Sequence, residues 1–157
     1  MKYRMLTLDE LKPLEEDLKH FLIVNGVHDT EWERLNREQP ETATKLVELF
    51  SDSVLQKVYE KIRFLEFRSK ESCLVFHLEK DAIDMISIQC KPGTEGDLST
   101  AESIHETILK YSGNLNWFRA AKPYKETREL EIHRMVEQGC VLSTEEFWTG
   151  LVKSLDQ

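Results

Sequence analysis

The sequence has few cysteines: three among 157 residues, and no two of them form a Cys-x-x-Cys pair. Thiols so few and so scattered do not make a disulfide framework or a typical zinc site. We therefore expect reduced, mostly buried thiols, and no catalytic or metal-binding role, at Cys73, Cys90 and Cys140.

Long apolar runs are also missing. No stretch of about 18 apolar residues could cross a bilayer, and residues 1–10 lack the apolar segment of a secretory signal. We therefore expect a cytoplasmic protein without membrane contacts. A length of 157 residues suits a single globular domain spanning 1–157.

Basic residues are outnumbered, 21 against 29 acidic ones, which gives a formal charge of −8 at pH 7. A field of that sign repels nucleic acid and anionic lipid on average. The charge therefore argues against a protein that simply coats either of them. Binding to nucleic acid would need a local basic patch.

Motifs that carry common chemistries are missing as well. The sequence contains no Walker A loop, no glycine-rich dinucleotide fingerprint, no His-Glu-x-x-His and no Gly-x-Ser-x-Gly. Glu102 and His105 match the Glu-x-x-His spacing of di-iron bundles. Acidic residues are so frequent that chance explains this match, and Asp17 with His20 forms a second one. We therefore predict no metal ligands and no cofactor.

The chain is organised around an amphipathic stretch at residues 41–67. Its apolar residues recur at steps of three and four, which predicts one long helix buried on one face. The recurring set is Val47, Phe50, Val54, Val58, Ile62 and Leu65. We expect Phe50 and Val54, at the centre of this helix, to lie in the core.

Two shorter helices are predicted before the long one. A capping box at Thr7 starts the first, but Pro13 lies too deep for an undisturbed helix. We therefore expect either a kink at Pro13 or a helix start near Lys12. Gly26 ends this helix, and a second short helix runs to Glu38.

Beyond the long helix the apolar period becomes that of a strand. Ser72–Leu78 and Ala82–Cys90 are rich in β-branched and aromatic residues and are separated by three polar ones, so we predict a hairpin. Residues 115–121 are predicted as a third strand. The first of these runs is the most continuously apolar, which favours the centre of a mixed sheet with strand order 2-1-3.

Three further helices are predicted. One opens at a capping box formed by Ser99 and Glu102 and ends at Gly113. Two more cover residues 125–138 and 143–155. The predicted fold class is therefore α+β, with an N-terminal three-helix segment, a small three-stranded ββαβ sheet and a C-terminal helix pair.

Four short blocks have a distinctive order of residues. They are Met1-Lys2-Tyr3-Arg4 with Leu6-Thr7, Asn25-Gly26 to Trp32-Glu33, Glu48-Leu49-Phe50-Ser51-Asp52, and Tyr124-Lys125 with Arg128-Glu129 and Glu131-Ile132. Together they resemble a domain-of-unknown-function family from Bacteroidetes bacteria over essentially the whole chain. The resemblance implies a small cytoplasmic bacterial protein. It implies no catalytic or binding residue, because the family carries no known activity.

Positive charge is concentrated in residues 110–128. This segment holds five basic residues and one acidic residue, a net charge of +4, while the rest of the chain is acidic. It also holds aromatic side chains, a mixture typical of proteins that bind single-stranded nucleic acid. The alternative is that its cations pair with carboxylates elsewhere. The candidate ligand-binding residues are Arg119, Lys122, Lys125, Arg128, Trp117 and Tyr124.

His77 and Asp84 lie opposite each other in the predicted hairpin. A carboxylate beside an imidazole favours the charged ring and fixes its tautomer, which is how many general bases are prepared. The alternative is a cross-strand polar pair near the end of a hairpin, which has only a small effect on stability. No nucleophile or oxyanion donor can be placed beside the pair from sequence.

Three hypotheses about function therefore stay open. We favour a non-catalytic protein-interaction or structural module that binds an unknown protein partner or forms a homo-oligomer, because apolar helix faces are abundant and no catalytic constellation is recognisable. The second is an anion- or nucleic-acid-binding protein that uses residues 110–128. The third is an acid-base enzyme around His77 and Asp84.

Overall fold

A capping box at Thr7 starts the first helix of the computed structural model, which describes residues 1–156. The Thr7 hydroxyl accepts the Glu10 amide, and the Glu10 carboxylate accepts the Thr7 amide. Helix α1 (Leu8–Leu11) gives way to a single 3-10 turn at Lys12–Leu14 before α2 (Glu15–Val24). Pro13 causes the interruption, because its ring has no N–H to donate to the helix. The helix therefore keeps its start at the Thr7 cap and is interrupted at Pro13.

Residues 1–60 form one compact unit, which also contains α3 (Asp29–Glu38) and most of α4 (Pro40–Lys61). Gly26 adopts φ +80° after α2, a conformation that glycine reaches without strain. The turn allows α2, α3 and α4 to share a core. Its buried members are Leu22, Val27, Leu35 and Ala43, with Leu18, Phe21, Trp32 and Leu46 packed around them.

The long helix is shorter than the sequence predicts. It ends at Lys61, and the following residues form strand β1 (Phe64–Arg68), so the predicted helix over 41–67 is wrong at its C-terminal end. Pairing with a neighbouring strand overrides the helical spacing of the apolar residues there. Phe50 is buried as expected, whereas Val54 is only half-buried. The buried face of α4 consists of Ala43, Phe50, Ser51, Leu55 and Tyr59.

The residues from Lys61 onward form the second compact unit, whose centre is a five-stranded sheet. Its strands are β1, β2 (Ser72–Leu78), β3 (Ala82–Cys90), β4 (Leu115–Pro123) and β5 (Val141–Leu142), in the order β4-β3-β2-β1-β5. All neighbouring strands are antiparallel. The helices of this unit are α5 (Ala101–Tyr111), α6 (Arg128–Glu137) and α7 (Glu145–Leu155).

The predicted three-stranded mixed sheet with order 2-1-3 and the C-terminal helix pair are therefore wrong. β1 occupies the edge of β2 at which the third strand was expected, so β4 pairs with β3 instead and runs antiparallel to it. β5 separates α6 from α7, so these two helices are not joined directly. The predicted β2–β3 hairpin is confirmed, with Leu78 opposite Ile83.

The hairpin register gives the sheet two distinct faces. One face carries Cys73, Val75, Ile86 and Ile88, which form a buried cluster with residues of α5 and α7, among them Ile104, Trp148 and Leu151. The other face carries Phe76, Ile83 and Met85 and is approached by α6. The N-caps of the two helices on the first face are Thr100 for α5 and Thr144 for α7. The cap of α5 thus lies one residue after the predicted Ser99.

Phe50→Ala should lower the free energy of unfolding by about 3–5 kcal/mol, since the ring is 4% exposed and its centroid lies 5.5 Å from that of Phe21. Val58 lies on the same helix and is 46% exposed, so Val58→Ala should change the free energy by about 0.5 kcal/mol or less. Urea denaturation of both variants checks this. Equal shifts of the two midpoints would contradict it.

Stability should also depend on Glu10 at low pH. Hydrogen bonds from the Arg4 side chain and the Thr7 amide lower the Glu10 pKa from 4.5 to about 2. The ionised form is thus favoured in the folded state, so its contribution is present above pH 4.5 and lost as the pH falls towards 2. Glu10→Gln should flatten the acid limb of the stability profile in this range. Glu33→Gln, at another exposed carboxylate, should leave the limb unchanged, and an identical flattening would refute the assignment.

Candidate functional site: the open edge of β4 and the cavity beside it

β4 forms one edge of the sheet, and its backbone groups alternate between β3 and the outside. The Lys91 amide donates to the Asn114 carbonyl at 2.9 Å, in the register that pairs Cys90 with Leu115. In an antiparallel ladder, residues that exchange hydrogen bonds alternate with residues that do not. The even-numbered residues of β4 therefore bond to β3, and the odd-numbered ones turn their amides and carbonyls outward.

The β2–β3 hairpin leads to the same assignment. There the Glu79 amide donates to the Ala82 carbonyl at 3.0 Å, which directs the even-numbered residues of β3 to β2 and the odd-numbered ones to β4. In the part of the chain that the structure describes, the outward backbone groups of β4 have no hydrogen-bond partner. They belong to Leu115, Trp117, Arg119 and Ala121. Pro123 is the next outward position, and a proline suits an edge because it has no amide to leave unpaired.

The side chains of β4 differ between the two faces. Trp117 packs against the buried cluster under α5 and α7. Arg119 makes two hydrogen bonds to the Asp84 carboxylate, at 2.9 and 3.2 Å, and its guanidinium lies 5.6 Å from the ring centre of Trp148. Phe118, on the opposite face, is 60% exposed. An aromatic ring so exposed on an open edge strand is typical of a contact surface.

A cavity of about 440 Å³ lies between α6 and the face of the sheet that carries Phe118. Its floor is apolar and comes from three neighbouring strands. The floor residues are Phe76, Ile83, Met85 and Ala120, and the α6 side is closed by Met135 and Cys140. Burial raises the pKa of the Cys140 thiol, which favours the neutral thiol on this wall.

The mouth of the cavity is charged. Glu126 forms an ion pair with Arg134, and the Glu131 carboxylate accepts the Glu126 amide at 3.4 Å. Lys122 and Lys125 also line the cavity, and among residues 1–156 neither ammonium group has a carboxylate within ion-pair distance. The carboxylates at the mouth are therefore engaged, and these two lysines remain exposed cations.

Comparison with known proteins places the chain in a protein family. A family model described as "Family of unknown function (DUF6495)" covers residues 1–156. The chain belongs to this DUF6495 family. No curated protein and no solved structure matches it. The resemblance to a domain-of-unknown-function family is thus confirmed at the level of the family, while a Bacteroidetes origin stays a prediction.

The structure of this DUF6495 member does not bring all six candidate ligand-binding residues together. Lys122 and Lys125 share the mouth of the cavity, but Trp117 and Arg119 face the other side of the sheet. Tyr124 donates its hydroxyl to the Glu79 carbonyl at 2.6 Å.

Arg128 is directed to the backbone. Its guanidinium donates to the Leu78 carbonyl at 3.1 and 3.3 Å and also to the Ile62 carbonyl. Glu129 lies 3.7 Å from it and adds a carboxylate contact. These bonds tie the start of α6 to the end of β2. The helix begins at Arg128, three residues after the predicted start at residue 125.

His77 and Asp84 lie opposite each other as predicted, but their side chains have different partners. Asp84 bonds to Arg119, and the His77 ring stacks on Phe64 with a centroid distance of 4.6 Å. The Glu79 carboxylate is 3.6 Å from His77 Nδ1. The arrangement is that of an aromatic stack beside a separate ion pair.

Residues 1–156 contain no group of three or more His, Cys, Asp or Glu side chains that could hold a metal ion. Glu102 and His105 are both exposed on α5. Within the same range, no helix has both the length and the apolar composition needed to cross a membrane.

Sequence reasoning missed the floor of the cavity. A pattern that indicates this floor is present in β2 and β3. Val75 and Phe76 are consecutive apolar residues, as are Met85 and Ile86, and consecutive residues of a strand point to opposite faces of the sheet. A strand that is apolar on both sides is covered on both sides, at least in part. That pattern would have indicated a second covered face of the sheet.

Arg128→Gln should lower the free energy of unfolding by about 1.5–3 kcal/mol, because it removes charged hydrogen bonds to two backbone carbonyls. Lys125→Gln, at an exposed lysine in the same segment, should change it by about 0.5 kcal/mol or less. Chemical denaturation of both variants provides the measurement. Equal effects would show that Arg128 is not a structural residue.

Proposed function

We propose that this protein is a non-catalytic interaction module that binds a second polypeptide strand along the open edge of β4. The observation that supports the proposal is the row of outward backbone groups on four alternate residues, without partners among residues 1–156. Such a row is a template for strand addition, in which main-chain hydrogen bonds supply affinity and side chains supply specificity.

The partner that fits this edge best is a second copy of the same chain. Antiparallel pairing about a two-fold axis at Phe118 sets Trp117 opposite Arg119 of the second copy, and Leu115 opposite Ala121. All of these are outward residues, so each outward amide and carbonyl receives a partner. The two Phe118 rings then meet at the centre as a closely spaced aromatic pair.

Charge also favours this register. It places no like charges directly opposite each other, and each Arg119 is already neutralised by Asp84 of its own chain. A two-fold axis at Arg119 would instead set two guanidinium groups face to face, which is unfavourable. An axis at Trp117 would leave Ala121 without a partner in the strand. The sequence of β4 therefore favours an axis at Phe118 over axes at Arg119 and at Trp117.

The other hypotheses have less support. Two of the basic side chains expected to bind nucleic acid already have partners within the chain: Arg119 bonds to Asp84, and Arg128 bonds to backbone carbonyls. Lys122 lies on the other face of the sheet from Arg119, at the mouth of the cavity. Asp84 is held by Arg119 and not by His77, which weakens the hypothesis of an acid-base pair. We retain the cytoplasm of a bacterium as the proposed location, on the basis of the resemblance and three free cysteines.

Sedimentation velocity over a wide range of protein concentration tests the proposal. The wild type should pass from monomer to dimer as concentration rises. Phe118→Lys should keep the protein monomeric, because it sets two ammonium groups opposite each other at the two-fold axis. Ala121→Pro should weaken the dimer by removing an outward amide without breaking a bond to β3.

Leu109→Lys is the matched control. Leu109 is an apolar side chain on α5, 70% exposed, so this variant carries the same new charge away from β4. It should dimerise like the wild type. A wild type that stays monomeric at all concentrations, or a control that loses the dimer together with Phe118→Lys, would refute pairing through β4.

A further inference from the structure

We infer a second binding site that is independent of the β4 edge: the cavity between α6 and the sheet binds a small amphiphilic carboxylate. At about 440 Å³, the cavity falls in the range of small-molecule sites, which is roughly 300–1,000 Å³. The cavity presents side chains to a ligand, whereas the β4 edge presents a row of backbone groups to a partner strand.

The shape of the ligand follows from the lining. The floor and the α6 wall are apolar, and Met85 and Met135 supply unbranched side chains that adapt to irregular hydrocarbon groups. The polar groups lie at the mouth. A ligand that matches both regions has an apolar body of a few carbon atoms and one polar head that stays near solvent.

The sign of the head group follows from the partners at the mouth. Glu126 is held by Arg134, and Glu131 accepts the Glu126 amide, so both carboxylates already have donors. Arg134 has a carboxylate partner in Glu126, whereas Lys122 and Lys125 have no carboxylate within ion-pair distance among residues 1–156. An incoming carboxylate would satisfy these two cations, and charge-assisted hydrogen bonds of this kind are about twice as strong as neutral ones.

The same pattern argues for a small molecule over an anionic polymer. A polymer needs a track of exposed cations, but Arg119 and Arg128 are engaged by Asp84 and by backbone carbonyls. Of the other three cations in the basic segment, Lys122 and Lys125 line the apolar cavity, and Lys110 lies on α5 outside its lining. A small ligand with one anionic head group for the lysines and one apolar tail for the cavity matches this arrangement.

Isothermal titration with octanoate tests the inference at a protein concentration at which the chain is monomeric. Octanoate should bind saturably with one site per chain, and octylammonium, which has the same tail and the opposite charge, should bind at least tenfold more weakly. The double variant Lys122→Gln, Lys125→Gln should lose about tenfold or more in octanoate affinity, equivalent to about 1.4 kcal/mol.

Two further variants separate the cavity from general charge. Lys110→Gln with Lys153→Gln removes two lysines from α5 and α7 and should leave octanoate affinity unchanged. Ala120→Phe fills the cavity from its floor and should abolish binding while circular dichroism shows a folded protein. Should Ala120→Phe fail to fold, Gln138→Trp at the α6 side serves the same purpose.

Several results would overturn the inference. These are the absence of saturable octanoate binding to the wild type, equal binding of octanoate and octylammonium, and equal loss of affinity in the two double-lysine variants. Octanoate binding that survives in a folded, cavity-filled variant would also overturn it. None of these outcomes bears on dimer formation, which is measured by sedimentation.

Discussion

The register of the β2–β3 hairpin is the constraint on which the second unit depends. Pairing Leu78 with Ile83 turns Val75 and Ile86 to one face of the sheet and Phe76 to the other. Because side chains alternate with a period of two, a slip by one residue would exchange the faces. The buried cluster beneath α5 and α7 would then lose its apolar residues to the side approached by α6. Burial of that cluster therefore stabilises one register against its neighbours.

The same register determines both proposed binding surfaces. The pairing of β4 with β3 fixes the orientation of each β4 residue. The hairpin register therefore determines which backbone groups of β4 face outward and which of its side chains reach the cavity. Ala120 and Lys122 lie on the cavity face together with Phe118. Arg119 and Asp84 lie on the opposite face, which carries the buried cluster. One strand thus presents its backbone to a partner strand and its side chains to a small ligand, without the two uses competing for the same atoms.

Part of this architecture could be predicted from the sequence. The hairpin register follows from two period-two runs with a short polar loop between them, and the interruption at Pro13 follows from its missing amide. β1 could not be recognised because Ile62 and Leu65 continue the helical spacing of α4, and β5 is too short to show any period. Lys122 was predictable as a cation of the basic segment. The partners of Arg119 and Arg128 were not, since they depend on which oxygen atoms the fold brings near.

Residue-resolved amide hydrogen exchange of β4 at low and high protein concentration tests the central claim most directly. The amides of Asn116, Phe118 and Ala120 bond to β3 and should be protected at both concentrations. The amides of Trp117 and Arg119 should exchange rapidly when the protein is dilute and become protected as its concentration rises. Outward amides that exchange at the same rate at every concentration would contradict pairing through this edge. Protection of the odd-numbered amides and exchange of the even-numbered ones in dilute protein would contradict the register itself.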